Sequence, residues 1–322
     1  MNIALEIAPE TDDVRKELQD GDQRREGKDK MAFRKIVLCS DGSDEALAAA
    51  QSAAEIAEKF ASDIVLVNVF NPDVVPVPFV GIPESVLMAE GNVGRYAEDL
   101  QTDVEKQTGS ILDAAKLRYT CRREIGHPVD RILAAARDEN ADLIVLGSRG
   151  LTKWKSLVLG SVSEGVVRHA TCPVLVAREH PHSLRKVLLA SDGSEGAQKA
   201  TEAALEIARK FGIPLGILNV VEPSLISSHG GPEIHDMNAI AGRSRDLVKR
   251  NAQQPAEAAG IACEMEQVEG TPAPTIIRYA ENYGYDLIVV GSRGMGGFKS
   301  LLLGSVSNYV AHHANGPLLV VR

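Results

Sequence analysis

The sequence predicts an α/β protein built from two tandem units, each a parallel sheet flanked by helices. Three observations carry that expectation. Residues 142–178 and 286–322 align without a gap, with 23 of the 37 positions identical, and self-similarity of this kind marks a duplicated structural unit. Short apolar runs alternate with helical patterns in both units, the order that builds βαβ crossovers and a parallel sheet. A chain of 322 residues is also long for one domain, and ~150 residues per domain gives two.

Apolar residues make up 44% of the chain but aromatics only 4%, so the cores are built from Val, Ile, Leu and Ala, as suits a parallel sheet under Ala-rich helices. The net charge of −9 argues against nucleic acid or an anionic membrane as a partner. It leaves open a phosphate held by backbone N–H groups, which needs no net positive charge.

The four cysteines, Cys39, Cys121, Cys172 and Cys263, have no zinc or CxxC spacing and suit a reducing compartment. Cys39 falls in a core strand as a small buried hydrophobe. No apolar run approaches the ~20 residues that span a bilayer, and the opening residues lack a basic, then apolar, leader pattern. The expectation is a cytoplasmic protein.

In the first unit, Lys35–Cys39 reads as a strand buried on both faces. Ser43 is placed to cap an Ala-rich helix reaching Phe60, with Leu47, Ala50, Ala54 and Ala57 on one side. Residues 64–70 form the second strand, and a helix over 96–116 leads to a third strand over 118–125. Pro128 stands at the first position of a helix reaching Glu139. A fourth strand over 143–146, a Gly-rich loop, a helix over 161–170 and a strand over 173–177 complete the unit.

The second unit repeats this, with strands near 187–190, 215–220, 262–268, 287–290 and 318–321. Residues 35–43 match 186–194 at an offset of 151, whereas Gly147 matches Gly291 at an offset of 144. The first unit therefore carries seven extra residues between Val69 and Gly126, and the Pro-rich stretch 71–83 is their natural place. The expected organisation is a charged, disordered extension over 1–32, units over 33–179 and 185–322, and a linker over 180–184.

The chemistry concentrates in Gly-x2-Gly-x9-Gly-Ser, present as Gly147, Gly150, Gly160 and Ser161, and again as Gly291, Gly294, Gly304 and Ser305. The first glycine follows a buried strand, where a close turn exposes backbone N–H groups. The last opens a helix, whose unpaired N–H groups and dipole favour an anion. Ser161-Val162-Ser163 and Ser305-Val306-Ser307 bring hydroxyls and N–H groups to the same spot. Arg149 and Arg293, with Lys153 and Lys155, add charge, although solvated surface positions suit the lysines equally.

Asp41 and Asp192 stand at the end of the first strand of each unit, within Ser-Asp-Gly-Ser. A carboxylate there can accept from ribose hydroxyls, or close an Asx turn. Val69 and Val220 end the second strands, where backbone groups can read an adenine edge. No Walker A loop, Rossmann fingerprint or Gly-x-Ser-x-Gly elbow is present, which sets aside the corresponding NTPase, NAD and hydrolase folds. His312 and His313 diverge by ~100° on a helix and read as surface groups.

Taken with Gly126-x-Pro128 and Gly270-x-Pro272, these motifs resemble the ATP-binding class of universal stress proteins across residues 33–179 and 185–322. The resemblance implies an adenine nucleotide alpha hydrolase-like fold, with five parallel strands per unit in the order 3-2-1-4-5. It implies ATP, with Mg²⁺, in each unit: adenine near Val69 and Val220, ribose on Asp41 and Asp192, phosphates on the Gly-rich loop. It also implies pairing of the two fifth strands, leaving a homodimer open.

No general base stands beside the phosphate cradle. A regulatory nucleotide binder with an unidentified protein partner is therefore expected ahead of a slow ATPase or self-phosphorylating enzyme, with Ser161, Ser163 or their counterparts as acceptors. A nucleotide-independent interaction module is the third reading. Residues 151–154 (Leu-Thr-Lys-Trp) are bulkier than 295–298 (Met-Gly-Gly-Phe), so the two sites are expected to differ.

Overall fold

The computed structural model describes residues 32–73, 92–150, 159–178, 183–222, 234–294 and 303–322. Most of the extension, of the linker and of the Pro-rich stretch, and the middle of each Gly-rich loop, with Lys153, Trp154 and Lys155, lie outside these residues.

The first half runs β1 (Lys35–Cys39), α1 (Asp44–Phe60), β2 (Asp63–Phe70), α2 (Asn92–Ala114), β3 (Tyr119–Ile125), α3 (Pro128–Asp138), β4 (Leu143–Gly147), α4 (Ser161–His169) and β5 (Val174–Ala177). The second runs β6 (Val187–Ala190), α5 (Glu195–Phe211), β7 (Leu215–Val221), α6 (Ile234–Val248), a π turn over Lys249–Gln253, α7 (Gln254–Ala258), β8 (Cys263–Glu269), α8 (Pro272–Asn282), β9 (Leu287–Gly291), α9 (Ser305–His313) and β10 (Leu318–Val321). The π turn precedes Pro255, whose missing N–H and bulky ring interrupt the regular ladder.

Local chemistry sets the boundaries. Ser43 Oγ accepts from Ala46 N to open α1, and Ala61 closes it in the left-handed region. Ser194 and Gly212 do the same for α5. Pro128 and Pro272 start α3 and α8 where no N–H is required. Asp142 Oδ2 accepts from the N–H groups of Arg34 and Lys35 at 3.0 and 2.9 Å. Asp286 holds Arg185 and Lys186 at 2.8 and 2.9 Å, so the aspartate just before β4 and β9 pins the start of the neighbouring first strand.

Each half keeps the order 3-2-1-4-5, and pairing of the two fifth strands, which the resemblance implied, joins the two open sheets into one. The ten strands run β3-β2-β1-β4-β5-β10-β9-β6-β7-β8, and all neighbours are parallel except β5 and β10. At that seam Leu175 faces Leu319, with Val174 on Val320 and Val176 on Leu318. Leu175 and Leu319 are equivalent residues of the repeat, so this pair marks a local two-fold, and an edge paired with its own copy across a two-fold is antiparallel. The contact closes two apolar edges that would otherwise template aggregation.

The outer edges are protected differently. β3 and β8 alternate exposed and half-buried residues, and on β3 Arg122 and Arg123 pair with Glu124, Asp138 and Glu105. One face of the sheet carries α3, α4, α8 and α9 over a single apolar core that crosses the seam, including Val176, Leu318, Val166 and Val310. On the other face α1 packs on β4 and β5, and α5 on β9 and β10.

Candidate functional site

In each half the strand order reverses between strand one and strand four, β1/β4 and β6/β9, the switch point where open α/β sheets receive ligands. Every described residue of the sequence motif arrives there.

The turn after β1 carries Asp41. Ser43 N–H and Oγ–H donate to Asp41 Oδ1 at 3.0 and 2.6 Å, and Gly42 takes φ +79°. The Asx turn is thus formed, with Oδ1 as its acceptor and Oδ2 on the side of the loop. A Cβ placed on Gly150 would lie 2.5 Å from Asp41 Oδ2. In the second half Ser194 N–H donates to Asp192 Oδ1 at 3.0 Å, and a Cβ on Gly294 would lie 2.6 Å from Asp192 Oδ2.

The same closeness holds along the loop. A Cβ on Gly147 would strike the Glu45 backbone at 2.7 Å, and one on Gly291 the Gly196 carbonyl at 2.7 Å. Gly160 N–H donates to Ser148 O at 2.8 Å, and Gly304 N–H to Ser292 O at 2.8 Å, so the long loop is pinched shut at its base. Gly160 and Gly304 cap α4 and α9 without a side chain. The N–H groups of Ser161, Val162 and Ser163, and of Ser305, Val306 and Ser307, therefore open the two helices without an intrahelical acceptor. Asp41, Gly147, Gly150, Gly160 and the α4 N-terminus are thus brought together beyond the ends of β1 and β4, as are their counterparts in the second half.

Val69 and Val220 are positioned by strand alternation. Ser40 N–H donates to Val67 O, whereas Gly126 N–H donates to Phe70 O, so odd-numbered residues of β2 turn their backbone groups toward β1. The β1 register ends at Cys39 on Val67. Two residues on, the N–H and C=O of Val69 face the crevice beyond the end of β1. Ser191 on Leu218 and Gly270 on Val221 give Val220 the same outlook.

Two expectations change. Ser163 Oγ–H donates to Gly147 O at 2.7 Å and Ser307 Oγ–H to Gly291 O at 2.6 Å. Both side chains are buried, so these hydroxyls staple the loop to its helix, whereas Ser161 and Ser305 are exposed. His312 is also no plain surface group, since it is only 17% exposed and lies 3.9 Å from Glu164 across the seam. His313 is exposed and stacks on Tyr309.

Sequence reasoning missed Asn68 and Asn219. Asn68 Nδ2 donates to Ser40 O at 2.7 Å and Asn219 Nδ2 to Ser191 O at 3.0 Å, and both side chains are buried. Each ties the end of strand two to the aspartate turn. The signal was an amide at the same place in both otherwise apolar second strands.

Charge at the site comes from the arginines. Arg149 lies 3.2 Å from Glu45. Arg178, just past β5, is pushed down to about 10 by burial and then by the charge of Arg149.

The Universal stress protein family model matches residues 32–178 and 183–322. Universal stress protein Rv2623 of Mycobacterium tuberculosis is 30% identical over 295 residues, covering 89% of this chain and 96% of its own. Universal stress protein YxiE of Bacillus subtilis is 34% identical over 145 residues, 42% of this chain and 98% of its own. The crystal structure of a universal stress protein from Archaeoglobus fulgidus superposes with TM-score 0.64 at 26% identity, covering 91% of this chain and 98% of that one. With two matched copies and a repeated site, this chain belongs to the universal stress protein family.

Proposed function

We propose that each half binds ATP at its switch point, and that nucleotide occupancy makes the chain a regulatory, stress-response protein. One observation carries the reading: Gly150 against Asp41, and Gly294 against Asp192, leave no room for a Cβ beside a helix N-terminus whose first N–H groups have no intrahelical acceptor. A sugar diol suits the carboxylate, phosphates suit the N–H groups, and the Val69 and Val220 backbones offer one donor and one acceptor to a base edge. ATP brings Mg²⁺ on its phosphate oxygens. Among the described residues no three His, Cys, Asp or Glu side chains gather to hold a metal.

The slow ATPase or self-phosphorylating reading keeps one supporting feature, the exposed hydroxyls of Ser161 and Ser305. Among the described residues no helix is long and apolar enough to cross a membrane.

The test is to purify the protein without added nucleotide, denature it, and identify and count what is released. ATP near two per chain supports the proposal. ADP in its place moves weight to hydrolysis. No release, together with no binding at millimolar ATP, overturns it and leaves a nucleotide-independent interaction module.

A further inference from the structure

The repeat preserves the arginine of the Gly-rich loop but not the residue that faces it. Glu45 sits in the first turn of α1 and pairs with Arg149 at 3.2 Å, the carboxylate being 20% exposed. At the 151-residue offset its equivalent is Gly196, in the first turn of α5. There the Arg293 carbonyl approaches to 2.8 Å from where a Cβ would stand, and among the described residues no carboxylate forms an ion pair with Arg293. The neighbouring acids, Asp44 and Glu195, match in sign, so the first turns of α1 and α5 differ by one charge; further along, Lys153 stands against Gly297 and Glu164 against Asn308, two differences of opposite sign.

Resting on the nucleotide reading above, we infer that Glu45 makes the two sites unequal, by occupying the arginine that a phosphate chain would otherwise take. In the first half an incoming polyphosphate must displace a carboxylate from Arg149 and settle beside it. In the second half Arg293 meets the phosphates directly. The effect grows with ligand charge and vanishes for an uncharged ligand, since it is coulombic. A partly exposed ion pair is worth about 1 kcal/mol, so removing the competitor tightens the first site about fivefold. The second half thus fills first, and the first half responds at higher nucleotide concentration.

The experiment is calorimetric titration in single-site backgrounds. Asp192→Ala leaves the first site to be read, and Asp41→Ala the second. ATP, ADP and adenosine are titrated into each, with and without Glu45→Gln, a substitution that keeps the side chain's size. Tighter ATP binding in the second half, a roughly fivefold gain for ATP at the first site with Glu45→Gln, a smaller gain for ADP and none for adenosine support the inference. ATP affinities that are equal in the two halves and indifferent to Glu45→Gln overturn it while leaving the nucleotide reading intact. A gain for adenosine equal to that for ATP also overturns it, because the effect is then not electrostatic. No ATP binding in either half removes both.

Discussion

Arg178 and Arg322, equivalent residues of the two repeats, each reach across the β5–β10 seam to the last turn of the other half's helix. Arg178 Nη2 donates to Ala311 O at 2.6 Å and its Nη1 to Gly316 O at 3.0 Å, while Arg322 Nη2 donates to Val167 O. Ala311 and Val167 are themselves equivalent, so the exchange is reciprocal. A guanidinium at a helix C-terminus meets both unsatisfied carbonyls and the negative end of the dipole.

Arg178→Ala is therefore expected to destabilise the chain by about 3 kcal/mol, since charged hydrogen bonds are lost and buried carbonyls are left bare. Urea denaturation gives the value. A midpoint within error of wild type would show that the seam stands on strand pairing and apolar contact alone.

Gly150→Ala should weaken ATP binding in the first half at least about tenfold, because the methyl group lands on the carboxylate that holds the turn. Circular dichroism should stay native. Gly294→Ala should do the same in the second half. Unaltered binding in both variants would place the ligand elsewhere.

Asn68→Leu removes the donor to Ser40 O within a buried strand end. The buried carbonyl of Ser40 loses its partner, at a cost of about 1–3 kcal/mol, and the aspartate turn drifts from the Val69 backbone. Thermal unfolding and nucleotide affinity should fall together. A loss of stability with full affinity would separate the amide from the site.

Burial pushes the Cys172 thiol up to about 11 from an ordinary value of 9.0. The unfolded chain then ionises before the folded one. This contribution to stability is complete below pH 9 and is lost as pH rises toward 11, to a limit of about 3 kcal/mol. Cys39 is shifted the same way by burial. Denaturation midpoints measured from pH 8 to 11 should decline, and Cys172→Ala should flatten the decline. An identical slope in the variant would show that Cys172 is not responsible.

Most of the fold was written in local pattern. Ser43 and Pro128 mark helix ends whatever lies around them, and apolar runs such as 143–146 mark strands to within a residue or two. The glycines were legible because a side chain cannot stand where other atoms approach so closely, Asp41 because its carboxylate suits an Asx turn, and the duplication printed each signal twice.

Tertiary structure decided the rest. Whether Ser163 offers its hydroxyl to a ligand or to Gly147 depends on how α4 settles against β4, which no local pattern encodes. Asn68 reads as a flaw in a strand until the β1 turn is folded over it. The resemblance implied that the two fifth strands meet, but the register that sets Leu175 on Leu319 belongs to the assembled sheet. Local propensity and spacing thus determined the elements and the motif. Long-range packing alone determined which polar atoms face solvent and which face each other, because hydrogen-bond partners distant in sequence are chosen by the assembled core.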